Sequence, residues 1–266
     1  MRVDARRMVR ACRVPNGPVT MEVSIEGGVV GAAAWGPGAE QALDELPELL
    51  GTADDPDALR PRHRAIADLH RRFTGLRIGR TRSVTEAVIP AVLEQKVTGN
   101  EAWRVFRNLV RRFGDPSPGP HRLWLLPPPQ RLTATPYFDF HAVGLERKRA
   151  EVIREVARLS HRLDRVDIES ASRSLRSIPG VGAWTIAEVR ARAFGDADAV
   201  SVGDYHLPKL VCWTLAGERE GGDDRMLELL EPYRGQRGRV LRLLELGGLR
   251  PPRRGPRMRS RALERI

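Results

Sequence analysis

The sequence predicts a mainly α protein with a small N-terminal α+β domain. Three observations predict it. Residues 8–35 alternate apolar and polar side chains as strands do, and from Arg80 onward apolar residues recur at helical spacing. In the second half of the chain, two short apolar-striped segments are broken by Pro179-Gly180-Val181-Gly182. The 266 residues suffice for one large or two modest domains, each with a core of its own. The expected layout is an α+β domain over residues 1–80, a helical domain over 81–248 and a basic, disordered tail over 249–266.

Residues 8–14, 19–25 and 29–35, separated by Pro15-Asn16-Gly17 and Gly27-Gly28 turns, predict a three-stranded meander. Val19, Met21, Val23 and Ile25 share one face of it. A helix comes next over 39–50, then an Asp- and Pro-rich linker over 51–62, then a further element over 65–73 with Ile66, Leu69 and Phe73 on one side. Three strands with one or two helices bury little by themselves, so this segment should lean on the helical part of the chain.

Ser83-Val84-Thr85-Glu86 is a capping box that opens a helix through Val97, and Thr98-Gly99-Asn100-Glu101 opens a second. Ala102, Val105, Phe106, Leu109, Val110 and Phe113 form the apolar face of that second helix. The Pro-rich run 115–129 reads as a loop with a short turn at 123–126, residues 137–141 as another short element, and 145–163 as a long basic helix. Further helices are expected near 223–230 and 237–246. Residues 250–266 are rich in Arg and Pro without apolar periodicity; they either add nonspecific affinity for DNA or are a solvated tail with no role.

A formal charge of +11 and a pI near 10.8 point to a polyanionic partner. Of the 45 basic residues only Lys96, Lys148 and Lys209 are lysines. A GC-rich coding sequence produces the same Arg bias, so the scarcity of Lys is the more useful fact: few amines remain that could form an imine. Cys12 and Cys212 are too few and too far apart for a disulfide framework or a zinc site. No apolar run approaches membrane-spanning length, and the start of the chain lacks a signal peptide's hydrophobic region. The expectation is a monomer in the reducing cytoplasm, at the nucleoid, with no membrane partner.

Ile168, Ala171, Leu175 and Ile178 fall at helical spacing before the Pro-Gly-Val-Gly break, and Ile186, Ala187, Val189 and Ala193 resume the stripe after it. Two short helices therefore meet at a hairpin. Gly180 and Gly182 carry no Cβ, so the backbone can take positive φ and approach a ligand, while the N–H groups opening the next helix face outward. Such a corner suits an anion, and a DNA phosphate held there is gripped without its sequence being read. About twenty residues on, Val200-Ser201-Val202-Gly203-Asp204-Tyr205 leads into a helix marked by Leu207, Leu210, Val211 and Leu215. Asp204 then sits near a helix N-terminus, either as an N-cap or as a fixed carboxylate with chemistry to do.

A hairpin of this kind followed at this distance by an Asp resembles the helix-hairpin-helix DNA glycosylases. Further matches resemble the DNA-3-methyladenine glycosylase II family: Ala91-Val92-Leu93-Glu94-Gln95-Lys96-Val97-Thr98, Val143-Gly144-Leu145-Glu146-Arg147-Lys148-Arg149-Ala150, and Glu231-Pro232-Tyr233-Arg234. The resemblance covers about residues 80–248. It implies the helix-hairpin-helix glycosylase fold, with residues 1–80 as the small domain that precedes it, shorter here by a strand.

It also implies a monofunctional DNA glycosylase of base excision repair, which flips an alkylated purine such as 3-methyladenine out of double-stranded DNA and hydrolyses its N-glycosidic bond. By resemblance Asp204 is catalytic, Trp184 and Tyr205 line the base pocket, and Gly180, Val181, Gly182 and Lys209 hold DNA phosphate. The core-packing role remains open for Trp184 and Tyr205, and His206 is a lesser candidate because adjacent helical residues diverge. Gln95 and Lys96 occupy the place of the plug that fills the gap left by the flipped base, although the family often has an apolar wedge where this chain has Lys96; an ordinary helix C-terminal charge is the alternative. Bifunctional members carry their reactive lysine where this chain has Trp184. No organic cofactor is implied, a monovalent cation at the hairpin is possible by resemblance, and the four-Cys cluster of some relatives is impossible here. Three other readings stand beside this one: a noncatalytic DNA-binding module, a glycosylase with lyase activity using Lys209 or another amine, and an intact fold repurposed for protein contacts.

Overall fold

The computed structural model describes residues 1–249; residues 250–266, nearly all of the predicted tail, lie outside the described residues. The meander forms as β2 (Arg7–Val14), β3 (Gly17–Glu26) and β4 (Val29–Trp35), joined by an additional short strand, β1 (Arg2–Val3). The sheet runs β1-β2-β3-β4, antiparallel throughout, with Arg10 opposite Met21 and Met21 opposite Ala34. The expectation of three strands is thus one short, because two residues are too few to carry an alternating signal. Val19, Met21 and Val23 bury one face against Ala42 and Leu46, whereas Ile25, on the same face by alternation, lies beyond that core and is 51% exposed.

The helix expected over 39–50 is two: α1 (Ala39–Asp44) and α2 (Leu46–Leu49). Pro47 has no N–H to give the Leu43 carbonyl, so the ladder is interrupted at Glu45. The linker contains a 3₁₀ turn, Pro56–Ala58, capped by Asp55, and α3 (Arg64–Arg72) turns Ile66 and Leu69 inward. Helix α4 (Val84–Glu94) begins as its capping box predicts: Glu86 N–H donates to Ser83 Oγ at 3.2 Å. It ends three residues before Val97, since Gln95 is extended and Lys96 has φ +53°, the left-handed region that side chains other than Gly rarely enter.

In α5 (Gly99–Phe113), the Glu101 N–H donates to Thr98 Oγ1 at 3.3 Å, and the predicted face is buried except Phe106, which is half-buried. The turn expected at 123–126 is instead an antiparallel bridge between Pro116 and Trp124. Helix α6 (Pro129–Ala134) is too short for a periodic signal and was not expected; α7 (Tyr137–Ala142) and α8 (Arg147–Leu163) were. The remaining helices are α9 (Ile168–Arg176), α10 (Ala183–Val189), α11 (Leu207–Ala216), α12 (Asp223–Leu230) and α13 (Arg237–Gly247).

These elements form two compact units, each discontinuous in sequence. One comprises Met1–Leu49 and Ser83–Val166; the other comprises Leu50–Arg82 and residues 167–249. In the first, α4 is buried nearly all round, with Val88, Ala91 and Val92 fully enclosed, and Arg10 of β2 donates to Glu86 of α4 at 2.6 Å. Asp164 accepts both the N–H and the hydroxyl of Thr85 at 3.1 Å. Burial nevertheless pushes its carboxyl above the ordinary value, and the neighbouring Glu86 adds to the rise.

In the second unit, Leu59, Ile66 and Leu69 join Leu207, Val211, Met226, Leu230, Val240 and Leu244 in one core. This explains why residues 50–82 pack with the segments beyond the hairpin. An ion pair between Asp54 and Arg239, side chains 4% and 1% exposed, secures the same joint. Arg239 also donates to Gln236 Oε1 at 2.7 Å and to the Leu76 carbonyl at 3.2 Å, and Asp54 Oδ2 accepts Ile78 N–H at 2.8 Å. Buried charges persist only when compensated in this way.

Candidate active site

The site is built in the second unit, from the hairpin and the turn after it. Asp167 caps α9 by accepting the N–H groups of Glu169 and Ser170 at 3.0 and 2.8 Å. The chain then reverses. Ile178 and Val181 are buried, and Val181 N–H closes the corner on the Ile178 carbonyl at 3.0 Å. Gly180 takes φ +95°, as the sequence suggests for a corner that a side chain would strain. Gly182 does not: at φ −102° it is an extended N-cap for α10, and a Cβ there would meet nothing within 4 Å. Its lack of a side chain keeps the approach to the amides of α10 open rather than relieving backbone strain.

Helix α10 runs into a π-helical turn, Arg190–Phe194, which Gly195 ends at φ +69°. From there the chain passes two anchored aspartates. Asp196 accepts Arg190 Nε at 2.7 Å, and Asp198 accepts the N–H groups of Gly235 and Arg237 at 2.7 and 3.0 Å together with the Arg237 guanidinium. Burial works to raise the Asp198 carboxyl, but the Arg237 hydrogen bonds prevail and hold it below the usual range.

Ser201, Val202, Gly203 and Asp204 then make a tight turn. Asp204 N–H donates to the Ser201 carbonyl at 3.2 Å, and Gly203 takes φ +90°. Outside anchors hold Ser201 and Gly203 as well as Asp204: the Ser201 hydroxyl donates to Glu188 Oε1 at 2.6 Å, and Gly203 N–H donates to Asp223 Oδ2 at 3.0 Å.

The turn places Asp204 at the head of α11. Its Oδ1 accepts the N–H groups of His206 and Leu207 at 2.7 and 2.9 Å, while Oδ2 accepts the indole N–H of Trp184 at 3.2 Å. The capping role and a fixed carboxylate are therefore combined in one side chain. Trp184 is half-buried on α10, and Tyr205 stands out from the surface at 74% exposure, so core packing does not account for the tyrosine. Lys209 Nζ lies 4.8 Å from the centre of the Tyr205 ring, and His206 meets that ring edge-on at 5.0 Å.

The structure thus brings Trp184, Asp204, Tyr205 and Lys209 together, with Gly180, Val181 and Gly182 at the start of the helix that carries Trp184. Gln95 and Lys96 belong to the other compact unit. Sequence reasoning missed Glu188 and Asp223; the signal for Glu188 was its spacing of four from Trp184, which places both on one face of α10. Glu245 on α13 is a third carboxyl in this neighbourhood. Burial pushes it above its ordinary value and Glu188 and Asp204 push the same way, against Arg242.

An open cleft of about 500 Å³ adjoins the hairpin, lined among others by Arg173, Ile186, Arg190, Asp198, Val200 and Arg237; neither Trp184 nor Asp204 lines it. Both cysteines are free and buried. Among the described residues no cluster of three or more His, Cys, Asp or Glu could hold a metal ion, and no helix is long and apolar enough to cross a membrane.

The family model for HhH-GPD superfamily base excision DNA repair proteins matches residues 89–234, from the middle of α4 to beyond α12. The chain belongs to this superfamily. It is 26% identical over 172 residues to a DNA-3-methyladenine glycosylase of Bacillus subtilis strain 168, covering 62% of this chain and 57% of the relative. It is also 26% identical over 179 residues to DNA-3-methyladenine glycosylase 2 of Escherichia coli K12, covering 65% of this chain and 62% of the relative. These matches span somewhat under two thirds of either relative's length. Among solved structures, a 3-methyladenine DNA-glycosylase from Archaeoglobus fulgidus shares the fold, with a TM-score of 0.73 at 24% identity over 92% of this chain and 87% of that one.

Proposed function

We propose that this protein is a monofunctional DNA glycosylase that releases alkylated purines such as 3-methyladenine from double-stranded DNA in the cytoplasm. The observation that carries the reading is Asp204, a carboxylate held by three N–H donors beside an exposed aromatic ring, with tryptophan rather than lysine at position 184. The names of the two relatives from Bacillus subtilis and Escherichia coli support the substrate class.

Base excision cannot proceed inside the stack, so the damaged nucleotide is first flipped out, at a cost of roughly a few kcal/mol that is lowest for a damaged base. The amides that open α10 have no acceptor within that helix and grip a backbone phosphate beside the lesion. As the N-glycosidic bond breaks, the sugar becomes oxocarbenium-like and its positive charge develops next to Asp204. At about 4 Å such a pair gains roughly 4 kcal/mol at an effective dielectric near 20, against about 1 in water. The difference amounts to about a hundredfold in rate.

Because Asp204 is already hydrogen-bonded to Trp184 and to the head of α11, little reorganisation is needed when that charge appears. A cationic alkylated base leaves readily, so the site needs no strong general acid; Tyr205 offers it a π face. Water attacks the sugar, and the strand remains intact with an abasic residue. Gln95 and Lys96 fill the gap in the duplex, a task for which the left-handed backbone at Lys96 provides an exposed, sharply presented side chain.

The test is to incubate the protein with methylated duplex DNA and resolve the released bases by chromatography, with borohydride added to a parallel reaction. Methylated purines should appear, the strand should break only after alkali, and no borohydride adduct should form. DNA binding without base release would favour the noncatalytic reading, and a trapped adduct would favour a lyase.

A further inference from the structure

Resting on the reading of Asp204 as the catalytic carboxylate, we propose that Glu188 is a positioning residue that sets where Asp204 stands. Glu188 Oε1 accepts the Ser201 hydroxyl at 2.6 Å, and its Oε2 accepts Arg192 Nη2 at 2.7 Å. Ser201 is 6% exposed, so its hydroxyl must find a partner inside the protein. The bond it makes is charge-assisted and short, and Arg192, one turn further along, fixes the Glu188 side chain from the other side.

Ser201 and Asp204 are the two ends of one turn, closed by the Asp204 N–H on the Ser201 carbonyl. Trp184 and Glu188 are four residues apart on α10, about 6 Å along its axis and on one face. The helix therefore holds the turn at both ends: Trp184 grips the Asp204 carboxylate and Glu188 grips Ser201. The head of α11 also holds Asp204 Oδ1 and Asp223 holds the Gly203 N–H, yet without Glu188 the Ser201 end of the turn could shift and re-aim the carboxylate. The Glu188 contact removes that freedom and sets the direction in which the carboxylate faces. Displacement of a catalytic group by about 1 Å costs up to about a hundredfold in rate, so an anchor one turn away is felt in the chemistry and not in DNA binding.

Glu188→Ala, Glu188→Gln and Ser201→Ala in the full chain test this. Three quantities are measured: single-turnover base release from methylated duplex, affinity for a duplex with a stable abasic analogue, and the Trp184 indole N–H resonance. Glu188→Ala and Ser201→Ala should slow release by about tenfold to a hundredfold with affinity within about twofold of the parent. Glu188→Gln should stay within about threefold, because its amide oxygen still accepts the Ser201 hydroxyl. The indole proton should move upfield and exchange faster in Glu188→Ala but not in Glu188→Gln. Wild-type release by Glu188→Ala, a loss that only tracks DNA affinity, or an unchanged indole signal would each overturn the proposal. If the wild type itself releases no base, the glycosylase reading fails and the indole signal alone decides: a change confined to Glu188→Ala supports positioning, and none overturns it.

Discussion

Replacing Asp54 by Ala removes one half of an ion pair that joins residues 185 positions apart in the chain. The Arg239 side chain is 1% exposed, so the variant leaves a guanidinium in the core of the second unit without its counter-charge. Breaking a buried pair in this way costs about 3–5 kcal/mol. Arg239 keeps two acceptors, Gln236 Oε1 and the Leu76 carbonyl, while Ile78 N–H loses its acceptor, which places the expected loss near the lower end, about 3 kcal/mol. At about 2–4 °C per kcal/mol for a domain of this size, Tm should fall by roughly 6–12 °C. Urea and thermal unfolding measure it, and the double variant Asp54→Ala/Arg239→Met should recover much of the loss because an apolar side chain needs no partner. A loss below about 1 kcal/mol, or a double variant no better than the single one, would refute the reasoning.

Other consequences can be checked separately. Trp184→Phe keeps a ring but removes the N–H donated to Asp204 Oδ2; a bond to a charged acceptor is worth about 1.5–3 kcal/mol, so in this half-exposed site single-turnover base release should slow by about tenfold with DNA affinity unchanged. Thr98→Ala removes the cap of α5, should cost about 1 kcal/mol and should lower Tm by about 2–4 °C in differential scanning calorimetry. Burial raises the Asp164 carboxyl, so the folded state binds its proton more tightly than the unfolded state does. Stability contributed by that proton is full below the unfolded value, about 3.9, and is lost as pH rises to the folded value. Residue 164 is exposed overall and solvent screens its charge, so Asp164→Asn should raise Tm only slightly at neutral pH, and the advantage should vanish on titration below about pH 4.

What could be read from the sequence was what local chemistry decides. The capping residues Ser83 and Thr98 do what their spacing to Glu86 and Glu101 predicts, and Pro179-Gly180 reverses the chain between α9 and α10. Asp204 was legible for the same reason, since a Gly-Asp corner before an apolar helix signals a fixed carboxylate. Short elements escaped: β1 and α6 are shorter than the windows in which periodicity is visible. Pro47 is a readable break in the helix predicted over 39–50, but the apolar pattern continues across it and masks the interruption.

Contacts distant in sequence were not legible at all. Nothing near Asp54 announces Arg239, and the Asp- and Pro-rich stretch read as a linker holds a carboxylate whose side chain is only 4% exposed. Likewise the discontinuity of the two compact units results from α3 packing its Ile66 and Leu69 into the core of α11–α13, a choice that local pattern does not express. At the site, Trp184 was expected as a pocket aromatic; the bond from its indole N–H to Asp204 is a contact that only the geometry reveals.

The central claim is that the carboxylate charge of Asp204 drives base release. The most direct measurement is single-turnover release of methylated purines by wild type and Asp204→Asn, with the affinity of each for a duplex carrying a stable abasic analogue. Asn keeps the size of the side chain and one acceptor oxygen while removing the charge. The account predicts that the variant binds as the wild type does and releases base at least about a hundredfold more slowly. Release at the wild-type rate by a variant that binds equally well would contradict it.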